Sequence, residues 1–437
     1  MGNERLDCEF VESYSERFIT TGEGYKSQYY LRSVSKLQSL KKLLLETIKT
    51  RWTNVKIDDS DPEAYKLVES INYVKGKCVV IGTIFKQMKN HPSPLDEYIQ
   101  KFDIKVEQRL EYTDDDDYLF LEDHTQRLVL VGNCLNPHKF VSGLVIAVRG
   151  YMNDENKFVT EDYILPEVPD TLALYNIKDE EKFIALTSGL ELSGKDLNYK
   201  SLLLLQNFIL GECNSEYNKR LVRLVVAGNG IGRCDIESLE RSDIFYAQLA
   251  SSVNVDLMPG TTDRPMDPTN SNLPQQVINP ILMENSKRYG TFRSTTNPYF
   301  FSIDGLVIWK GVSSTQFIID QVRFLGVSGQ TVEDMCKFSR LSELDALKLI
   351  ARSRCIAPTG TDSLPIHSEM DVFNLTEDSE YPHVFFTGNC KEYEVGDFGT
   401  SGTTKLPKLV CVPSFRREPT LVLISLRTLE VTALKLT

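Results

Sequence analysis

Between Lys77 and Tyr163 the chain places five short runs rich in Val, Ile, Leu and Phe, and this spacing restricts the segment to a small β structure. The runs are Lys77–Phe85 (KCVVIGTIF), Tyr118–Leu121, Gln126–Val131, Gly143–Arg149 and Lys157–Tyr163. Turn formers punctuate them at Gly132, Asn136-Pro137, Gly150 and Asn153-Asp154-Glu155-Asn156. Five strands in about 95 residues suit a closed barrel of the OB type, an all-β domain expected over residues 71–165. Residues 86–117, with His91-Pro92-Ser93-Pro94 and four consecutive aspartates at 114–117, read as an excursion from that barrel. The aspartates lack the glycine and terminal glutamate spacing of a calcium loop, so a solvated acidic face is expected.

The flanks follow other rules. In residues 1–60, Leu31, Val34, Leu37, Leu40, Leu44 and Ile48 recur at steps of three and four, the mark of a helix with one buried face. After Pro166 and Pro169, strands alternate with helices. Phe183–Leu186, Leu221–Val226 and Val253–Met258 read as strands around helices at Ser201–Leu210 and Ile236–Ser251, an α/β layout expected over 181–437. Later strands are expected at Phe300–Ile303, Val322–Leu325, His383–Phe386, Lys408–Val412, Leu421–Leu426 and Glu430–Leu436, with a helix around Ser342–Arg352. The fold class is therefore α/β plus all-β, and a length of 437 residues accommodates two or three such domains.

With 49 Lys and Arg against 61 Asp and Glu the net charge is −12, so attraction to a phosphate backbone is not the chain's main business. Nine cysteines without a zinc-like spacing read as reduced, buried thiols. The start Met1-Gly2-Asn3-Glu4-Arg5 lacks a signal peptide, and no apolar run approaches a membrane span, so a location in the cytosol or nucleus is expected.

In open α/β sheets ligands gather just past the carboxyl ends of strands. Four such loops carry glycine here: Gly189-Leu190-Glu191, Gly228-Asn229, Gly260-Thr261-Thr262-Asp263 and Gly388-Asn389-Cys390-Lys391. Their order resembles the loops of calcineurin-like metallophosphoesterases, where Asp-x-His, Gly-Asp, Gly-Asn-His-Asp and Gly-His-x-His hold two cations that polarise a phosphate and activate a bridging water. The glycines remain, but none of the five histidines (91, 124, 138, 367 and 383) lies in a ligand position, and Lys391 puts a cation where a metal would sit. Glu191, Asn229 and either Asp263 or Asp267 are the oxygen donors left for a single hard cation such as Mg²⁺. The expectation is a vestigial site at Gly189, Glu191, Gly228, Asn229, Gly260, Asp263, Asp267, Gly388, Asn389 and Lys391, with no catalytic residue, bound metal or cofactor.

A barrel followed by a phosphoesterase fold without its ligands resembles the B-subunits of replicative DNA polymerases, and within them the polymerase delta branch. The resemblance is carried by Cys78–Lys86, Leu121-Glu122-Asp123, Gln126-Arg127, Lys157–Tyr163, Val255–Gly260, Asp267-Pro268-Thr269-Asn270, Leu273-Pro274-Gln275-Gln276, Thr296-Asn297-Pro298, Ile303-Asp304-Gly305, Val322–Gly326 and Ser328-Gly329-Gln330. It implies a non-catalytic scaffold in the nucleus. Its partners would be the cysteine-rich C-terminal domain of the catalytic subunit and the third subunit, which binds the sliding clamp, with DNA met only weakly or indirectly. Two departures stand out. Arg264-Pro265-Met266 lengthens the loop before Asp267, and Leu306–Gln321 interrupts the Gly305-to-Val322 run. That second stretch reads as a hairpin or, by preference, a retained intron, because its apolar residues would otherwise crowd the surface.

Two competing functions differ in class. A metal-dependent phosphoesterase would need the rearranged site to bind cations. A single-strand DNA-binding OB module would need outward stacking aromatics on a basic groove. Phe85, Phe158 and Tyr163 are the rings available, and all three are expected to face the barrel core.

Overall fold

The computed structural model describes residues 5–8, 10–11, 13–20, 29–52, 55–56, 65–92, 111–170, 172, 181–194, 197–213, 216–233, 235–263, 272–303, 306–308, 317–319, 322–360, 362–367, 372–399 and 406–437. These residues belong to two compact units, each assembled from separate stretches of chain. One comprises Tyr25–Pro169 and Thr331–Glu377, the other Met1–Gly24, Asp170–Gln330 and Asp378–Thr437.

The Tyr25–Pro169 unit is built on a barrel. Lys77–Gln87 pairs antiparallel with both Tyr118–Glu122 and Val145–Met152, and Phe158–Ile164 runs parallel to Arg127–Val131 and antiparallel to Val145–Met152, so five strands close on themselves. This is the strand order of an OB barrel. Alternation does the sorting: in Tyr118–Glu122 and Arg127–Val131 the leucines at 119, 121, 128 and 130 point inward, and their neighbours point out. The helix Tyr29–Arg51 buries Leu40, Leu44 and Ile48, each worth about 1.5–3 kcal/mol on burial. Its end is fixed by Trp52 Nε1 donating to Asp162 Oδ2 at 2.9 Å. Helices Gln330–Lys337 and Glu343–Ser353 supply further core through Met335, Leu347 and Ile350; Ser342 caps the second by accepting from the Asp345 amide.

Two expectations change here. Asp117, the last of the aspartate run, is buried rather than solvated, and its Oδ2 lies 3.4 Å from the equally buried Lys86 ammonium. Lys86 Nζ also donates to Thr113 Oγ1 and the Phe338 carbonyl, both at 2.8 Å. Lys86 is an inward position on its strand, and an inward charge requires an inward partner, which the run supplies. Phe85 likewise faces out of the barrel, beside Phe120 and under the Arg127 guanidinium at 4.5 Å. Phe158 is fully buried, and Tyr163 is partly buried against Phe140.

The other unit packs two six-stranded sheets face to face. One runs Phe10–Val11, Tyr299–Ile303, Val322–Val327, Val384–Cys390, Lys408–Pro413, Glu394–Gly396; the other Phe292–Ser294, Asn254–Met258, Leu221–Ala227, Phe183–Thr187, Thr420–Ser425, Val431–Lys435. Leu186, Ala227, Phe301, Phe324, Phe386, Val410 and Val422 fill the space between the sheets. Helices Tyr199–Leu210 and Ile236–Ala250 cover the outer face of the second sheet over Ala185, Leu224, Val255 and Leu423. Leu221–Ala227 is buried at every position, as its unbroken apolar reading (save Arg223) demands of a strand covered on both faces. Leu306–Ile308 and Phe317–Ile319 pair antiparallel as a separate two-stranded ladder.

Candidate functional site

The strand ends of the two-sheet unit converge, and close backbone approach is the reason for their glycines. A Cβ on Gly260 would lie 2.3 Å from the Asn229 amide nitrogen, and one on Gly388 would lie 2.0 Å from the Ala227 carbonyl. Gly189 and Gly228 sit in the same knot, with the Gly189 amide donating to the Gly228 carbonyl at 2.9 Å and Glu191 to Asn229 likewise. Glu191, Asn229 and Asn389 take left-handed backbone angles, φ +43°, +53° and +57°, and a non-glycine residue held there reports a tightly specified loop.

The polar side chains of these loops are committed to one another. Asp263 is buried and accepts four backbone amides: Ile231 and Gly232 on Oδ1 at 2.8 and 2.7 Å, Gly230 and Gly260 on Oδ2 at 3.1 and 3.0 Å. Burial pushes its carboxyl above the ordinary carboxylate pKa, against the pull of those amides. Asn229 Oδ1 accepts the Thr262 amide at 3.1 Å. Asn389 Nδ2 donates to the Ser328 carbonyl at 2.7 Å, and its own amide to Ser188 Oγ at 2.8 Å. The Glu191 carboxylate takes Arg416 Nη1 at 2.8 Å, and Lys391 is exposed beyond the Val384–Cys390 strand. Asp267 falls outside the described residues.

A two-cation centre needs carboxylate and imidazole donors with free lone pairs. This donor set does not fit it. Asp263 has each oxygen shared by two amides, Glu191 is neutralised by an arginine, and Asn229 and Asn389 stitch loop to loop. Among the described residues no group of three or more His, Cys, Asp or Glu is placed to hold a metal.

Sequence reasoning missed a hub beside this knot. Asn297 Nδ2 faces Gln275 Oε1 at 2.7 Å, Ser328 Oγ at 2.6 Å and Gln330 Oε1 at 2.9 Å, while its Oδ1 accepts the Ser328 amide at 3.1 Å. Gln275 Nε2 then reaches the Gly260 carbonyl at 3.3 Å. Three short motifs far apart in sequence, Leu273–Gln276, Thr296–Pro298 and Ser328–Gln330, thus meet at one buried amide. Their shared enrichment in Asn, Gln and Ser was the available signal.

Comparison with known proteins divides the chain in sequence order. Residues 28–163 match the family model of the DNA polymerase delta subunit OB-fold domain, and residues 184–395 match that of the DNA polymerase alpha/epsilon B-subunit. The two matches define the class, a DNA polymerase B-subunit. The DNA polymerase delta small subunit of Arabidopsis thaliana is 31% identical over 98% of this chain and 95% of the relative. That of Oryza sativa subsp. japonica is 30% identical over 99% and 98%, and the DNA polymerase delta subunit 2 of Drosophila melanogaster 29% over 98% and 97%. The chain belongs to the DNA polymerase delta small subunit family.

Proposed function

We propose that this chain is a non-catalytic scaffold subunit of a nuclear DNA polymerase delta assembly, serving replication and repair. Its partners are the C-terminal domain of the catalytic subunit and the third subunit that binds the sliding clamp, and it meets DNA only weakly or through them. The two-sheet unit is read as a calcineurin-like phosphoesterase fold whose strand-end loops have turned from metal binding to self-support. One observation carries this reading: the carboxylate of Asp263, one of the two aspartates, with Asp267, that could fill a phosphoesterase ligand position, is spent on four backbone amides. Membership of a family whose members are named as polymerase small subunits supports it.

Purified full-length chain should not hydrolyse bis(p-nitrophenyl) phosphate with Mn²⁺ or Zn²⁺, and it should co-purify from nuclear extract with the two other subunits. Metal-dependent turnover abolished by Asp267→Ala or Glu191→Ala would overturn the assignment.

A further inference from the structure

The described residues of the 5–20 stretch make their contacts in the manner of a bound peptide. Phe10 and Val11 add a strand antiparallel to Tyr299–Ile303, in register with Ile303 and Ser302. The Phe10 ring lies 3.8 Å from the Arg223 guanidinium carbon and 4.5 Å from that of Arg293, and packs on Phe301. Tyr14 stacks on Phe300 at 4.8 Å, and Ser15 Oγ both accepts the Phe300 amide at 2.8 Å and donates to its carbonyl at 2.9 Å. Beyond these anchors, Gln276 Nε2 donates to the Phe18 carbonyl at 3.0 Å and Gln276 Oε1 accepts the Thr20 amide at 3.1 Å. On the near side, Arg5 donates to the Ile209 carbonyl and Lys182 Nζ to the Asp7 carbonyl.

The arginine that receives Phe10 is held in place from the side away from the segment. Arg223 Nη1 donates to Asp256 Oδ1 at 2.6 Å, Asp256 Oδ2 accepts the Tyr299 hydroxyl at 2.9 Å, and both charged side chains are buried, 2% and 0% exposed. The guanidinium plane is thereby pinned, ready to take an aromatic face. Main-chain pairing on an open strand edge supplies affinity, and a pocket for a particular side chain supplies specificity.

We propose that the outer edge of the Tyr299–Ile303 strand is a peptide-acceptor site, occupied in cis by residues 5–20. Its ligand is a short strand with an aromatic side chain seated on the two arginines, followed by a 3-10 turn, Ser13–Phe18 here, that presents, five residues on from the aromatic, a hydroxyl that clamps the Phe300 backbone.

The test uses the full chain with a protease site inserted after Gly24. After cleavage the released segment should remain associated through gel filtration and exchange with a labelled synthetic peptide of residues 5–20. The Phe10→Ala peptide should compete at least tenfold more weakly, and the Ser15→Ala peptide several-fold more weakly. In uncut full-length protein, Phe10→Ala should speed amide exchange at 299–303 by tenfold or more. Loss of the cleaved segment with unchanged exchange at 299–303, equal competition by the Phe10→Ala peptide, or unchanged exchange in the uncut Phe10→Ala protein would each overturn the proposal.

Discussion

Asp263 separates a structural reading of the strand-end knot from a catalytic one. Replacing it with alanine strands four buried amides, those of Gly230, Ile231, Gly232 and Gly260. A hydrogen bond to a charged group is worth about 1.5–3 kcal/mol net, and an orphaned buried donor costs about 1–3 kcal/mol. Four donors share one carboxylate, so the bonds do not add in full, and the expected loss for Asp263→Ala is roughly 4–6 kcal/mol. Asp263→Asn keeps an oxygen for Ile231 and Gly232 but turns an amide toward Gly230 and Gly260, donor against donor, for an expected loss of about 2–3 kcal/mol. Since a domain's whole stability is about 5–15 kcal/mol, the alanine variant should bring the two-sheet unit close to unfolding. Urea titrations followed by hydrogen exchange of the 228–232 amides report that unit directly. A metal ligand would behave oppositely, with Asp263→Asn abolishing Mn²⁺ binding by calorimetry while the fold holds. The structural reasoning fails if Asp263→Ala unfolds within about 1 kcal/mol of the parent and the 230–232 amides keep their protection.

Three further outcomes are expected. Lys86→Met leaves Asp117 buried without its cation and should cost about 3–5 kcal/mol in denaturant unfolding followed by Trp52 fluorescence, with Lys86→Met/Asp117→Leu recovering part of it. Burial pushes the Asp334 carboxyl, held by Thr359 and Ser363, up to about 6. Because the folded pKa exceeds the unfolded value near 3.9, this group's stabilisation is present below about pH 4 and lost as pH rises to about 6, by roughly 2–3 kcal/mol. The stability difference between parent and Asp334→Asn should shift by that amount across the window and stay flat above it. Gly260→Ala drives a methyl against the Asn229 backbone and should cost about 1–3 kcal/mol by thermal unfolding, whereas Gly290→Ala, which meets open space, should be near neutral.

Much of the secondary structure was legible because periodicity and burial agree. The five barrel strands follow from apolar runs bounded by turn formers, and the helix at Tyr29–Arg51 from three-four spacing. Asp117 was not legible, since a run of four aspartates looks alike at each position and only the three-dimensional path brings the last one to Lys86. Phe85 misled for a related reason. Its run KCVVIGTIF is apolar at nearly every position, so no alternation marks which side faces in. At the candidate site the glycines and the missing histidines were visible, but the partners that absorb the remaining polar groups, Arg416 for Glu191 and Ser188 and Ser328 for Asn389, are brought in by long-range pairing.

The interleaving of the two units has a consequence for how the chain is made. Phe183–Thr187 is a buried inner strand whose antiparallel neighbour, Thr420–Ser425, is encoded about 240 residues later. At about 5–20 residues per second, the ribosome leaves that apolar strand without its neighbour for on the order of tens of seconds. The barrel's five strands are all synthesised by Ile164, so they can close early. A premature stop between codons 378 and 420 would therefore release a chain with a finished barrel and a second core that can never shut, a substrate for chaperones and proteases rather than a shortened but serviceable subunit.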